Sequence, residues 1–229
     1  MPDFVSGALS KSIATNGQSL AKETTTSRMS WSLFDLRGRR KYLVPKERWT
    51  FVDAALAVGG KIGTFCVVLA FTGARISEAL ALTAERLDEA NGTINIETLK
   101  RRQRGVIRAV PIPAKLFDLL DAVHDFRAAH FDETRAQKRL WPWSRTTAWR
   151  RVKEVMRRAH EPEHVSQPKA LRHAFGAEAT LKMVSPLLVQ KWMGHARIET
   201  TQIYTALIGE EERALARTTW QGASPKFRH

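Results

Sequence analysis

Two short stretches of this chain hold two arginines, two histidines and a phenol, Arg75, Arg172, His173, His195 and Tyr204, whose types could act on one group. Residues 167–207 read QPKALRHAFGAEATLKMVSPLLVQKWMGHARIETTQIYTAL and contain Arg172-His173, Gly194-His195 and Tyr204. Upstream lies Thr72-Gly73-Ala74-Arg75-Ile76-Ser77-Glu78-Ala79-Leu80. Tyr204 is one of only 2 tyrosines, the other being Tyr42. These residue types suit a phosphodiester. Attack by an oxygen nucleophile spreads negative charge over the non-bridging oxygens, and guanidinium groups answer it with a planar fork of donors that stays charged. Fixed donors aimed at developing charge are usually the largest catalytic term. A phenol has a free pKa of about 10, so Tyr204 as a nucleophile needs nearby cations or a base. Each residue also has a plainer reading. Arg75 can pair with Glu78 on one helix face, Tyr204 can be a core residue beside Ile203 and Leu207, and His195 can close a helix after Gly194.

The same stretches resemble the tyrosine recombinases, also called the phage integrase family. TGARISEAL looks like that family's first arginine box, KALRHAF like its second, and LLVQKWMGHARIETTQIYTAL like the third, which carries the nucleophile. The resemblance runs from about Tyr42 to about Leu207, with the boxes in family order and a basic hairpin between the first two. It implies a DNA strand transferase that cleaves and rejoins double-stranded DNA. Tyr204 would form a 3′-phosphotyrosyl bond and release a 5′-hydroxyl, so that neither ATP nor metal is required. Arg75, Arg172 and His195 would hold the phosphate. A lysine on the hairpin protonates the leaving oxygen in this family, and Lys100 is the only lysine there. One position departs from the pattern. The second box usually opens on His, and here it opens on Lys169, as in the related type IB topoisomerases. Lys169 can donate to a phosphate oxygen. It stands ahead of His173 as the group that takes the proton from Tyr204, with His173 in support. The partners implied are duplex DNA, further copies of the chain in a tetrameric synapse, and an accessory DNA-binding protein. The rivals are a topoisomerase-like enzyme and a non-cutting DNA-binding factor on the same fold.

Composition agrees with a polyanionic partner. The 229 residues carry a formal net charge of +14, with a pI near 10.5, and such an excess points first to nucleic acid. Apolar residues make up 43%, enough for a core. The single cysteine, Cys66, lies in an apolar run and reads as a buried small hydrophobe, which excludes a disulfide framework or a cysteine-based zinc site. The N-terminus lacks a continuous apolar signal region, and no run is long enough for a membrane span. These features place the expected protein in a reducing cytoplasm, with the nucleoid.

The elements that must position the site are mainly helical. Pro45-Lys46-Glu47-Arg48 reads as a helix start, with Trp49, Val52, Ala55 and Leu56 at helical spacing and Gly59-Gly60 as the break. A second apolar helix covers about 62–71, Gly73 ends it, and a third runs over about 75–82. Residues 93–100 alternate as a half-buried strand, and 106–113 are the partner, with the turn in 101–105. One amphipathic helix is expected over 116–129, then loop to 147. Residues 146–160 form a strongly basic helix. A further helix follows Pro168, another runs from Ser185-Pro186 to about Met193, a short one over 199–206 bears Tyr204, and a last one covers 210–218. The class is mainly α with a small antiparallel β-hairpin. Arg101, Arg102 and Arg104 in the hairpin turn, and Arg150, Arg151 and Lys153 on the basic helix, are expected to contact DNA phosphates. The domain reading is a flexible basic arm over 1–41 in place of a DNA-clamping bundle, a catalytic domain over 42–222 and a basic tail over 223–229. Residues 31–41 are read either as a DNA contact or as docked on the body through Trp31 and Phe34.

Overall fold

A computed structural model describes residues 32–99, 105–206 and 216–217. The first helix, α1 (Pro45–Val58), opens with proline where no backbone donor is needed. The Glu47 carboxylate reaches back to the Val44 N–H at 2.9 Å. Gly59, at φ 66°, turns the chain directly into α2 (Gly60–Thr72). This helix is apolar nearly all round, as a helix buried on every side must be. Residues 63–70 and Thr72 are buried in it. Helix α1 crosses it closely at Gly63, where any β-carbon would lie 2.5 Å from the Ala55 carbonyl oxygen. Gly73 ends α2 in the left-handed region at φ 60°, which glycine adopts without penalty. Helix α3 (Ile76–Leu80) follows after Arg75.

The sheet has three antiparallel strands in chain order: β1 (Leu87–Asp88), β2 (Thr93–Glu97) and β3 (Ile107–Pro111). The expected hairpin is β2–β3, with Ile94 opposite Val110 and Ile96 opposite Arg108. Strand β1 was not read in the sequence, because two residues are too few to show alternation. Pro111 sits at the end of edge strand β3, where it removes no ladder bond.

The single helix expected over 116–129 is two. Helix α4 (Ala114–His124) stops at Asp125, which has φ 51°, and α5 (Phe126–Ala129) continues at a new angle. The kink is held by charge. The Asp121 carboxylate accepts from the Arg127 N–H, and the Arg127 guanidinium bonds Glu89, Asp118 and Asp121. Within the expected loop, Asp132 caps a turn of helix, α6 (Glu133–Ala136), and Trp141 is fully buried with its indole N–H on the Thr64 hydroxyl at 3.2 Å. The basic helix is α7 (Arg145–Arg158), capped by Ser144. Then come α8 (Pro168–Leu181), α9 (Pro186–Met193), α10 (Glu199–Gln202) and a 3₁₀ turn over 203–206 that carries Tyr204. Among the described residues no helix is long and apolar enough to cross a membrane.

Residues 32–43 lie on the body. Asp35 folds them into a tight loop by accepting from the Arg37 and Arg39 N–H groups at 2.9 Å each. Arg40 then ties the loop to α1 through the Glu47 carboxylate. Leu33 and Tyr42 are buried in a second, smaller core with Ala177, Val189, Met193 and Tyr204.

Beside the Arg40–Glu47 pair stands Glu161. Its carboxylate is buried (9% exposed) and has no hydrogen-bond partner among the described residues. Burial first, and the Glu47 charge next, push its pKa from 4.5 up to about 7, against the pull of Arg40. An acid raised in the fold binds its proton more tightly folded than unfolded, so stability is lost as pH rises between those two values. Glu161→Gln is therefore expected to raise the thermal midpoint at pH 8 and to leave it nearly unchanged at pH 4, as read by melting curves at both pH values.

Candidate active site

The C-terminal end of α2, the first turns of α8 and the C-terminal end of α9 meet through Arg172. Arg75 is the residue before α3, and its side chain is 24% exposed. Its Nη1 donates to Glu78 Oε1 at 2.7 Å, and its backbone N–H donates to Glu78 Oε2 at 3.0 Å. The Arg75–Glu78 pair offered by the plainer sequence reading is thus present, but Glu78 is fully buried and so fixes the arginine from beneath. Glu78 also accepts from Arg108 Nη2 at 2.6 Å. Burial raises the Glu78 pKa, and the two guanidiniums and the Arg75 N–H more than offset that, leaving it below the ordinary value.

Arg172 projects from the first turns of α8. Its Nη1 donates to the Gly73 carbonyl and its Nη2 to the Met193 carbonyl, both at 2.6 Å. One side chain therefore pins the end of α2, two residues before Arg75, to the end of α9, two residues before His195. Burial, and then the Arg75 charge, lower its pKa. A guanidinium nonetheless stays protonated at neutral pH, and two of its five N–H donors are occupied by these carbonyls.

Gly194 turns α9 into His195 through the left-handed region at φ 63°. A β-carbon there would also press on Thr98 and Arg108, at 2.9 and 3.0 Å. His195 Nδ1 bonds the Thr201 hydroxyl at 2.9 Å. Burial, then Arg172 and Arg75, push the His195 pKa down to about 3, so the ring is neutral at pH 7. In the tautomer in which the Thr201 hydroxyl donates to Nδ1, the ring proton is on Nε2, where it can be given to an oxyanion.

Tyr204 is 1% exposed. Its ring lies parallel to His195, with centroids 6.4 Å apart and planes 11° apart. Its hydroxyl is 3.4 Å from His173 Nδ1, a long contact. Burial raises the phenol pKa, opposed by Arg172 and Arg75. His173 is pushed down to about 3 by burial, then by the charges of Lys169, Arg172 and Lys41. The phenol rests on α8 at Gly176, where a β-carbon would lie 2.3 Å from the ring carbon Cζ. Gly176→Ala is expected to expel the ring from this seat. In a Tyr42→Phe background Tyr204 is the sole phenol, and its ultraviolet titration should then fall towards pH 10.

The structure brings Arg75, Arg172, His173, His195 and Tyr204 together. Lys169, at the start of α8, is exposed, and its charge reaches His173. On α7, Arg150 is exposed, Arg151 is half-buried over the Trp143 ring, and Lys153 is half-buried over Trp149. Lys100, Arg101, Arg102 and Arg104 lie outside the described residues, as do residues 1–31 of the arm expected over 1–41, most of the last expected helix and the basic tail. Thr201 and Gly176 were missed in the sequence. A threonine six residues after a histidine carries no signal by itself. Glycine inside a helix does, since it costs about 0.5–1 kcal/mol relative to alanine and asks for a reason.

Fold and site together define a helical protein with a buried tyrosine set among arginines and histidines. The family model described as "Phage integrase family" matches residues 59–211, and the chain belongs to that family. It is similar to the tyrosine recombinase XerD of Corynebacterium glutamicum, 30% identical over 156 residues, covering 68% of this chain and 50% of the relative. XerD of Mycobacterium tuberculosis is 33% identical over 168 residues, covering 69% and 50%. The chain thus spans about half the length of the curated relatives it matches. Among solved structures, the XerA recombinase superposes with a TM-score of 0.65 at 24% identity, covering 78% of this chain and 64% of that one. The Tn1549 transposon integrase in complex with transposon right end DNA gives 0.57 at 19% identity, covering 80% and 65%. At those identities the likeness is one of fold.

Proposed function

We propose that this chain is the catalytic part of a site-specific tyrosine recombinase, acting on duplex DNA in the cytoplasm. The observation that carries the reading is the convergence of Arg75, Arg172 and His195 around Tyr204, from three separate stretches of sequence. Family membership and the relatives' shared name support it. In the reaction, the Tyr204 oxygen attacks the phosphorus, a phosphotyrosyl bond forms, and the bond to the 5′-oxygen breaks. The phenol proton passes to His173 or Lys169, and the leaving oxygen takes a proton from Lys100. Arg75, Arg172 and the His195 Nε2–H neutralise the charge on the non-bridging oxygens. The Tyr204 hydroxyl lies 3.4 Å from His173 Nδ1, and Lys169 is exposed; either would have to be neutral to take the proton. Rejoining is the reverse, with the 5′-hydroxyl of a second duplex as attacking group, within a tetramer of the chain. The catalytic unit in this reading spans 42–222, and Arg150, Arg151 and Lys153 hold DNA phosphates.

Nicked suicide duplexes drawn from the DNA flanking the gene test this. A protease-sensitive protein–DNA adduct is expected. Tight binding with no adduct, also after addition of host extract, would mean a non-cutting DNA-binding factor. Joining of two separate duplexes distinguishes a recombinase from a topoisomerase-like enzyme, which would relax one.

A further inference from the structure

Arg108 lies on the basic hairpin, where its charge would suit a phosphate contact, but the fold hides it. Its side chain is 4% exposed, on the inward face of β3 opposite Ile96. Three bonds hold it: Nε to the Trp192 carbonyl at 2.8 Å, Nη1 to the Thr98 hydroxyl at 2.9 Å, and Nη2 to Glu78 Oε2 at 2.6 Å. Arg108 thus joins the end of β2, the end of α9 beside the Gly194-His195 corner, and the carboxylate that fixes Arg75.

The charges explain why a buried arginine stands here. Glu78 is fully buried and bonded to both guanidiniums. One carboxylate against Arg75 and Arg108 leaves a net charge of +1, and Arg75 is the member that solvent can reach. Without Arg108 the same carboxylate would face Arg75 alone. The pair would be neutral, and Arg75 would be drawn down onto Glu78 instead of outward to an anion. We propose that Arg108 is a positioning residue: a hidden counter-charge that occupies Glu78 so that the Arg75 charge remains available to a phosphate. This rests on the reading of Arg75 as a phosphate-binding residue.

Two variants separate this role from simple packing. Arg108→Met removes the counter-charge. Glu78→Gln with Arg108→Met removes both charges and returns +1 to Arg75. The first readout needs no DNA cleavage: the Arg75 Nε–H resonance is followed by NMR during titration with inorganic sulfate. Wild type is expected to bind, Arg108→Met to bind at least about fivefold more weakly, and the double variant to recover most of the loss. The second readout is the single-turnover rate of adduct formation at saturating DNA. Arg108→Met is expected to fall about 100-fold, the scale of losing one fixed donor, and the double variant to regain at least about tenfold. A double variant no better than the single in the sulfate titration overturns the proposal, as does an Arg75 resonance indifferent to sulfate in the wild type. Should Arg108→Met fail to fold, the double variant, which leaves no buried charge uncompensated, is compared with wild type, and loss of sulfate binding at Arg75 is then the overturning result. If the wild type forms no adduct while the sulfate order holds, the recombinase reading fails and the role of Arg108 stands.

Discussion

Tyr204→Phe should form no covalent adduct with a nicked duplex, a loss of at least about 10⁴-fold, while binding that duplex as the wild type does. The phenol oxygen is the only atom removed. Among the described residues its hydrogen-bond contact is the 3.4 Å approach to His173 Nδ1, which is too long to matter much for the fold. Stability should therefore change by less than about 1 kcal/mol, and the ring should keep its seat against Gly176. DNA affinity rests on phosphate contacts spread over a basic surface, so it should retain its magnitude and its salt dependence. Gel detection of the protease-sensitive adduct, beside a binding titration at two salt concentrations, checks both halves. An adduct formed by Tyr204→Phe would remove Tyr204 from its assigned role.

Arg172 is expected to show the next largest effect, and of a different kind. Arg172→Ala deletes a donor to the phosphate and also frees the Gly73 and Met193 carbonyls, which it now bonds at 2.6 Å each. Loss of the charge alone should slow cleavage by about 10³-fold, judged from donors of this type in other phosphoryl and acyl transfers. Each buried carbonyl left without a partner costs about 1–3 kcal/mol, partly offset because a buried charge is no longer held out of water. Arg172→Lys distinguishes the two contributions. An ammonium keeps the charge but lacks the planar fork that spans two carbonyls. Its cleavage rate should remain at least about 100-fold down, although DNA binding is intact. Single-turnover rates and denaturant unfolding on the same samples measure the pair of effects. Equal loss of rate and of DNA affinity in Arg172→Lys would instead mean general disruption of the surface.

The residues proposed to hold the phosphate were legible in the sequence because their signals are local. Arg75 follows a glycine that must end a helix, His195 follows another, and the boxes stand in family order. Residues that act through tertiary contacts were not legible. Arg108 shares a strand face with Val110, so the alternation of β3 already pointed it inward, but its charge argued for the surface. Only the distant Glu78, Thr98 and Trp192 make that burial tolerable. The break at Asp125 was hidden for a similar reason. The apolar pattern continues through it, and the acids that anchor Arg127 include Glu89 from a different part of the chain. Strand β1 was lost to its shortness. Leu33 and Tyr42 were read as lying at or before a domain edge. Their neighbours in the small core, Ala177, Val189, Met193 and Tyr204, come from far along the sequence.

That small core sets a duty cycle. As the proposed nucleophile, Tyr204, seated on Gly176 and 1% exposed, would act only during the fraction of time it is out of its seat. If leaving costs about 2.7 kcal/mol, the competent fraction is about 1%, and every observed cleavage rate is the intrinsic rate divided by about a hundred. The same arithmetic works in reverse for any DNA site or neighbouring subunit that prefers the open form. A hundredfold preference is enough to bring the open form to about half, and a partner with no preference leaves the rate unchanged however tightly it binds.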